Sequence, residues 1–128
     1  MAVVQLKLVE PAPKREGKPM RTLRGYIRDQ KAAGNNAMPP DHAVFRYAEE
    51  VGLHRDFLAI AWFRFKDKYL EDLPDKKYKY WPRVFCTAVK ENWMKVWMMD
   101  NNEFKLTTVG QQAQKAMQAK AARTQQHD

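Results

Sequence analysis

The strongest constraint on the fold is a run of large apolar side chains at helical spacing between residues 57 and 69. Its members are Phe57, Leu58, Ala61, Trp62, Phe65 and Tyr69. Residues three and four positions apart share one face of an α-helix, so these side chains form one broad apolar face. Charged residues occupy most of the opposite face. The spacing therefore predicts a helix over about 56–71 that buries one side.

Two further helices are predicted around this one. Val44, Tyr47 and Val51 recur at helical spacing, with Asp41 as the candidate N-cap and Gly52 as the candidate C-cap, which predicts a helix over about 41–51. A third helix is predicted to begin near Pro82, because proline suits the first position of a helix, and to run to about residue 100. The expected fold class is all-α, a small three-helix bundle.

The segments on either side of this bundle differ in composition. We expect residues 1–37 to be a flexible basic arm, rich in proline and glycine, and residues 38–102 to be the helical bundle. The residues around Leu23 are compatible with a short helix, but Gly25 disfavours it, because glycine in a helix costs about 1 kcal/mol relative to alanine. Residues 103–128 read as a short extended piece followed by an Ala/Gln-rich tail without an apolar stripe. We expect this tail to be a frayed helix or disordered.

The charge balance indicates an anionic partner. The chain of 128 residues carries 23 Lys and Arg against 15 Asp and Glu, a formal net charge of +8. A small domain this basic is typical of nucleic-acid binding, although an anionic membrane surface or an acidic protein also fits. No apolar run approaches the roughly 18 residues of a membrane span, and the first residues do not resemble a secretion signal. We therefore expect a cytoplasmic protein that does not insert into membranes.

The sequence carries no signature of an enzyme. It contains neither a glycine-rich phosphate loop nor a dinucleotide-binding motif. His42, His54 and His127 lie too far apart to form a spaced pair of metal ligands. The lone Cys86 is interpreted as a small core residue, because buried cysteine behaves as a hydrophobe. We expect no catalytic residues, no metal and no cofactor.

The most informative constellation combines cations and aromatic rings in the segment 76–80, called the connector below, and along the third helix. Single-stranded nucleic acid suits this combination, because cations follow the phosphates and each base stacked on a ring contributes about 1–3 kcal/mol. The candidate nucleic-acid-binding residues are Lys76, Lys77, Tyr78, Lys79, Tyr80, Arg83, Lys90 and Trp97. The basic arm adds three accessory candidates, which are Arg21, Arg24 and Arg28.

Packing competes with stacking for several of these rings. Periodicity assigns four rings to the core, namely Trp62, Phe65, Phe85 and Trp93. Trp81 also fits the core better than the surface. For Tyr78, Tyr80 and Trp97 the sequence leaves both roles open.

A family resemblance rests on residues spread over about 38–97. The run comprises Pro40-Asp41-His42, Tyr47-Ala48, Gly52-Leu53, Phe57, Ala61-Trp62, Phe65-Lys66 and Tyr69, followed by Lys76-Lys77-Tyr78, Trp81-Pro82, Phe85, Val89 and Asn92-Trp93. This pattern resembles a DnaT-type single-strand-binding domain, a kind of domain that ends many phage and plasmid replication proteins.

The resemblance implies a function in DNA replication. A domain of this type is a small helical bundle that binds single-stranded DNA and helps to assemble a replicative helicase at an origin. By this resemblance, the residues that contact DNA are Lys76, Lys77, Tyr78, Lys79, Arg83 and Lys90. Contacts with other copies or with the helicase would lie in the arm and the tail, and the sequence does not define the oligomeric state.

Two other functions stay open. Seven methionines, including Met94, Met98 and Met99 near Trp97, fit a protein-interaction module that acts as adaptor or inhibitor of a host protein. A helix-turn-helix for duplex DNA would use the turn at 53–56. The helix after that turn is dense in apolar residues, whereas a recognition helix exposes polar side chains to base edges, which disfavours this third reading.

Overall fold

The structure, a computed structural model, describes residues 19–126. In chain order its elements are β1 (Arg21–Thr22), α1 (Leu23–Ala32), α2 (Ala43–Val51), α3 (Arg55–Asp67, continued by a π-helical turn at Lys68–Asp72), β2 (Lys77–Tyr78), α4 (Trp81–Lys90), β3 (Trp97–Asp100), β4 (Glu103–Leu106) and α5 (Thr108–Gln126). β1 pairs with β2 and β3 pairs with β4, each pair antiparallel.

The predicted all-α three-helix bundle is wrong. Residues 19–126 form five α-helices and two small antiparallel sheets, so the fold mixes helices and strands. The three predicted helices exist as α2, α3 and α4, but α4 ends at Lys90 rather than near residue 100. Residues expected in its last turns instead form strand β3.

Asn92 explains why α4 ends early. Its backbone is left-handed, with φ of 54°, a conformation that Asn adopts more readily than most residues. The amide of Asn92 donates to the carbonyl of Val89, and that of Trp93 donates to the carbonyl of Ala88. These two bonds form a Schellman ending, which satisfies the last carbonyls and turns the chain away.

The other helix ends combine expected and unexpected residues. Gly52 ends α2 with φ of 80°, which confirms the predicted C-cap. The predicted N-cap Asp41 is wrong, because His42 takes that position. The ring Nδ1 of His42 accepts the amide of Val44 at the start of α2, and the ring Nδ1 of His54 accepts that of Asp56 at the start of α3.

The core is a network of aromatic rings between α3 and α4. The ring of Phe65 contacts those of Trp62, Tyr69, Trp81 and Phe85, with centroids 4.8–5.9 Å apart. Phe65 and Phe85 are buried, as the periodicity predicts, and Trp81 is buried as well. Trp62 and Trp93, also assigned to the core, are only partly buried against it. Aromatic pairs in such stacked, tilted and edge-on arrangements add stability beyond the apolar area that they bury.

The described part of the arm, residues 19–37, is packed against the rest of the protein. Leu23 and Tyr26 on α1 are buried in the core, and the Tyr26 hydroxyl donates to the carbonyl of Ala37 at 2.7 Å. The Thr22 side chain caps α1 by accepting the amide of Gly25. The expectation of a flexible arm is therefore wrong for residues 21–32, because tertiary packing outweighs the helix penalty of glycine.

The tail is also a packed element. α5 lies against α3, with Ala113 buried and Met117 half-buried against the core. The tail is helical, as its alanine and glutamine content favours, but the expectation that it is frayed or disordered is wrong over the described residues, because it packs against the core. In the first turn of α5, Gly110 approaches the backbone so closely that a Cβ there would lie 2.1 Å from the carbonyl oxygen of Val96.

Candidate nucleic-acid interface

The pairing of β1 with β2 joins two groups of candidate residues that are distant in sequence. Arg21 lies opposite Tyr78, and Thr22 lies opposite Lys77. Of the three accessory arginines, Arg21 therefore lies beside the connector. We call residues 76–80 and β1, together with the exposed residues Arg24 and Arg83 that follow them closely in the chain, the connector surface.

The lysines of the connector are exposed to solvent. Lys76, Lys77 and Lys79 all have exposed side chains, and the Lys76 ammonium lies 5.3 Å from the centre of the Tyr78 ring. Exposed ammonium groups on a short loop can follow the phosphates of a flexible strand.

Tyr78 is only half-exposed, because its ring packs against the core. Its ring meets the edge of Trp81 at 4.9 Å and that of Tyr69 at 6.3 Å. Burial, followed by the neighbouring Tyr78 and a hydrogen bond with it, raises the pKa of Tyr69 to about 12. Tyr78 therefore anchors the connector to the core and leaves part of its ring at the surface.

Tyr80 offers the most accessible ring of the connector. Its side chain is 37% exposed, and its ring centre lies 6.2 Å from that of His42. Burial, helped by Tyr80 and opposed by Arg21, raises the pKa of Tyr26. Tyr80, Arg21 and Tyr26 thus belong to one electrostatic neighbourhood.

The two other rings of the constellation lie inside the protein. Trp81 is 0% exposed and its indole Nε1 donates to the carbonyl of Arg21, as fits a core residue. Trp97 is 5% exposed and packs edge-on against Phe104 at 6.5 Å. The structure therefore does not bring Trp97 to the connector surface, and its ring is not available to stack on a base.

α4 extends the basic surface along one helix face. Arg83 and Lys90 are both exposed and are separated by seven positions, which places them on the same face about 10 Å apart along the axis. The Lys90 ammonium lies 5.6 Å from the centre of the Tyr47 ring on α2. Lys90 therefore lies at the far end of the basic surface along which a single-stranded nucleic acid would bind.

The three accessory arginines differ in their partners. An oxygen of Asp29 lies 2.8 Å from the Arg21 guanidinium and another lies 3.7 Å from that of Arg28. Arg24 is exposed and forms no ion pair within residues 19–126. Arg24 is thus the accessory cation that can meet a phosphate without giving up an acidic partner.

A second group of cations was not predicted as a unit. Arg64, Lys68 and Lys95 line a groove of about 310 Å³ beside Trp93, which we call the basic groove. Arg64 and Lys68 are one helical turn apart, and this spacing is the sequence feature that could have indicated the pair. Lys95 joins them only because the chain turns at Asn92, which periodicity does not reveal.

Metal-binding clusters and membrane-spanning helices are both absent from the part of the chain that the structure describes. Residues 19–126 contain no group of three His, Cys, Asp or Glu side chains arranged to hold a metal ion. None of the helices in this part of the chain combines the length and apolar character that a bilayer span requires.

The chain was compared with family models, with curated proteins and with solved structures, and no match was found. The resemblance to DnaT-type domains therefore stays a prediction.

Proposed function

We propose that this chain is a non-enzymatic protein that binds single-stranded DNA through the connector surface. The observation that carries the proposal is the antiparallel pairing of Arg21 with Tyr78 and of Thr22 with Lys77. That pairing gathers cations from two distant segments around one exposed ring. A net charge of +8 favours an anionic partner.

Binding by this surface depends mainly on phosphate contacts. The lysines of the connector and Arg83 are exposed, whereas only Tyr80 offers a well-exposed ring. Single strands are favoured over duplex DNA because a flexible strand follows a short loop and can place one base on Tyr80. With rings buried at 81 and 97, stacking contributes less than the sequence alone suggested.

The biological setting of this proposal comes from the resemblance to DnaT-type domains. We propose a cytoplasmic protein of phage- or plasmid-type DNA replication that aids the loading of a replicative helicase. The exposed face of α5 is where a protein partner would bind without covering the connector surface.

Fluorescence anisotropy with a labelled single-stranded oligonucleotide tests the proposal. Neutralising about six phosphates predicts a slope of about −4 in a plot of log affinity against log salt. A duplex of the same length should bind more weakly. Absent binding up to high micromolar protein, or binding that is insensitive to salt, would reject the proposal.

One observation favours the alternative of a protein-interaction module. Met98 and Met99 on β3 are 50% and 53% exposed, and exposed methionines are common on adaptable binding surfaces. Their neighbours Met94 and Trp97 are buried, so the apolar patch is smaller than the sequence suggested. Recovery of one stoichiometric host protein after nuclease treatment, lost in Met98→Lys with Met99→Lys, would support this alternative.

A further inference from the structure

The basic groove lies between the end of α3 and the turn that follows α4. Its volume of about 310 Å³ is at the lower end of the range for small-molecule pockets. Leu73 also lines it, and the amide of Lys76 donates to the carbonyl of Leu73. The groove therefore adjoins the start of the connector without including its lysines.

Arg64, which lines the groove, carries a buried nitrogen without a hydrogen-bond partner in residues 19–126. Its Nε atom, like that of Arg21, is closed to solvent, yet it donates to no acceptor in that part of the chain. Buried N–H donors in proteins are almost always paired, so an unpaired one calls for a ligand or water. Guanidinium donors match the oxygen atoms of a phosphate particularly well.

The charges of the groove are not neutralised by one another. Two carboxylates, those of Asp67 and Asp72, line it together with the three cations. No ion pair within 4 Å links these carboxylates to Arg64, Lys68 or Lys95 in residues 19–126. Cations and acceptors therefore both remain available to a ligand.

Two residues that line the groove, Lys68 and Lys95, have unusual backbone conformations. The π-helical turn begins at Lys68, whose carbonyl accepts the amide of Leu73 at 2.8 Å, and such turns are frequent at functional sites. Lys95 is held in a left-handed conformation, with φ of 56°, which is costly for a lysine. The Lys68 ammonium lies 5.9 Å from the centre of the half-buried Trp93 ring, so a cation and an aromatic ring are presented together.

We propose that the basic groove binds a single nucleotide. Arg64, Lys68 and Lys95 hold the phosphate, and the ring of Trp93 contacts the base. The carboxylates of Asp67 and Asp72 accept hydrogen bonds. The N–H groups of a base and the hydroxyl of a sugar can donate such bonds, whereas a phosphate dianion cannot. This chemistry is shared by a free nucleotide and by the 5′-phosphorylated end of a strand, and it does not depend on the connector surface.

Calorimetric titration of the full chain with thymidine monophosphate tests the proposal, with inorganic phosphate as the comparison. We expect the nucleotide to bind at least about tenfold more tightly than phosphate, a difference of about 1.4 kcal/mol. Absent binding of the nucleotide at millimolar concentration would overturn the proposal. Equal binding of nucleotide and phosphate would overturn the role of Trp93 and of the carboxylates.

Lys95→Gly is the sharpest variant, because it removes the ammonium and relieves the left-handed backbone, so that folding is preserved. It should weaken nucleotide binding at least about fivefold. Asn101→Gly is the matched control, since Asn101 also has a positive φ but lies in the β3–β4 turn. Arg64→Gln should weaken binding as well. Unchanged affinity in Lys95→Gly would contradict the assignment.

Oligonucleotides separate the two sources of the nucleotide, and also separate this proposal from the proposed function. Tighter binding of a 5′-phosphorylated strand than of its 5′-hydroxyl counterpart would identify a strand end as the ligand. If the two strands bind equally and the free nucleotide also binds, the ligand is the free nucleotide. Lys77→Glu with Lys79→Glu should leave nucleotide binding unchanged. If strands bind but the nucleotide and the 5′-phosphate have no effect, this proposal fails and the proposed function survives.

Discussion

The indole Nε1 of Trp81 donates a 2.9 Å hydrogen bond to the backbone carbonyl of Arg21, which lies 60 positions earlier in the chain. Trp81 is fully buried, so this bond fastens β1 to the start of α4. The connector surface exists only while that attachment holds, because β1 supplies one side of it.

Trp81→Phe should therefore destabilise the fold. The change leaves the Arg21 carbonyl without its donor and opens space in the core, at a cost of about 1–3 kcal/mol in the free energy of unfolding. Trp93→Phe is the matched control, since its indole bonds to the exposed Glu91. Urea denaturation should show the larger loss for Trp81→Phe, and equal losses would contradict the role given to this bond.

Two glycines in first turns of helices should respond oppositely to alanine. Gly110→Ala places a Cβ 2.1 Å from the Val96 carbonyl oxygen, so α5 must shift and stability should fall by more than about 1 kcal/mol. Gly25→Ala meets Thr22 Oγ1 at 3.4 Å and the Arg28 guanidinium at 3.7 Å, both ordinary contacts, and should raise stability by up to about 1 kcal/mol through helix propensity. Thermal unfolding measures both, and tolerance of Gly110→Ala would contradict the packing of α5.

His42 should make the fold sensitive to mild acid. Burial lowers its pKa below the usual 6.5, against the opposing effect of Asp41, and its Nδ1 accepts the amide of Val44 only when it is unprotonated. A lowered folded-state pKa means that the stabilisation is complete above pH 6.5 and is lost as the pH falls through the folded value. His42→Asn keeps a capping side chain without this titration. Urea midpoints between pH 7.5 and 5 should fall less in the variant than in the parent chain.

Tyr80 should provide the main stacking contact. Tyr80→Ala should weaken binding of a single strand by about 1–3 kcal/mol, the usual contribution of one stacked base. Tyr80→Phe keeps the ring and should bind nearly as the parent does. Anisotropy titrations at one fixed salt concentration compare the three proteins. Equal affinities for alanine and phenylalanine would show that no base stacks there.

Elements with strong local signals were predictable from the sequence. The apolar face of α3, the Gly52 C-cap and the position of Pro82 in the first turn of α4 all follow from short-range rules. The histidine N-caps were missed because a ring nitrogen is an unusual capping group. α1 was underestimated because the burial of Leu23 and Tyr26 depends on distant residues.

The candidate site was only partly predictable for the same reason. The basic character of residues 76–80 is visible in the sequence, but their pairing with residues 21–22 is a long-range contact. The assignment of Trp97 depended on a helix that continued past residue 90. The left-handed turn at Asn92 ends that helix and directs Trp97 into the core.

Charge reversal on the connector tests the central claim most directly. Lys77→Glu with Lys79→Glu changes two exposed side chains, and Lys115→Glu with Arg123→Glu makes the same change in charge on α5. Affinity for a single-stranded oligonucleotide should fall at least about tenfold further in the connector variant than in the α5 control. The salt slope should also become shallower by about 1–2. Equal losses in the two variants, with both proteins folded, would contradict a binding surface at the connector.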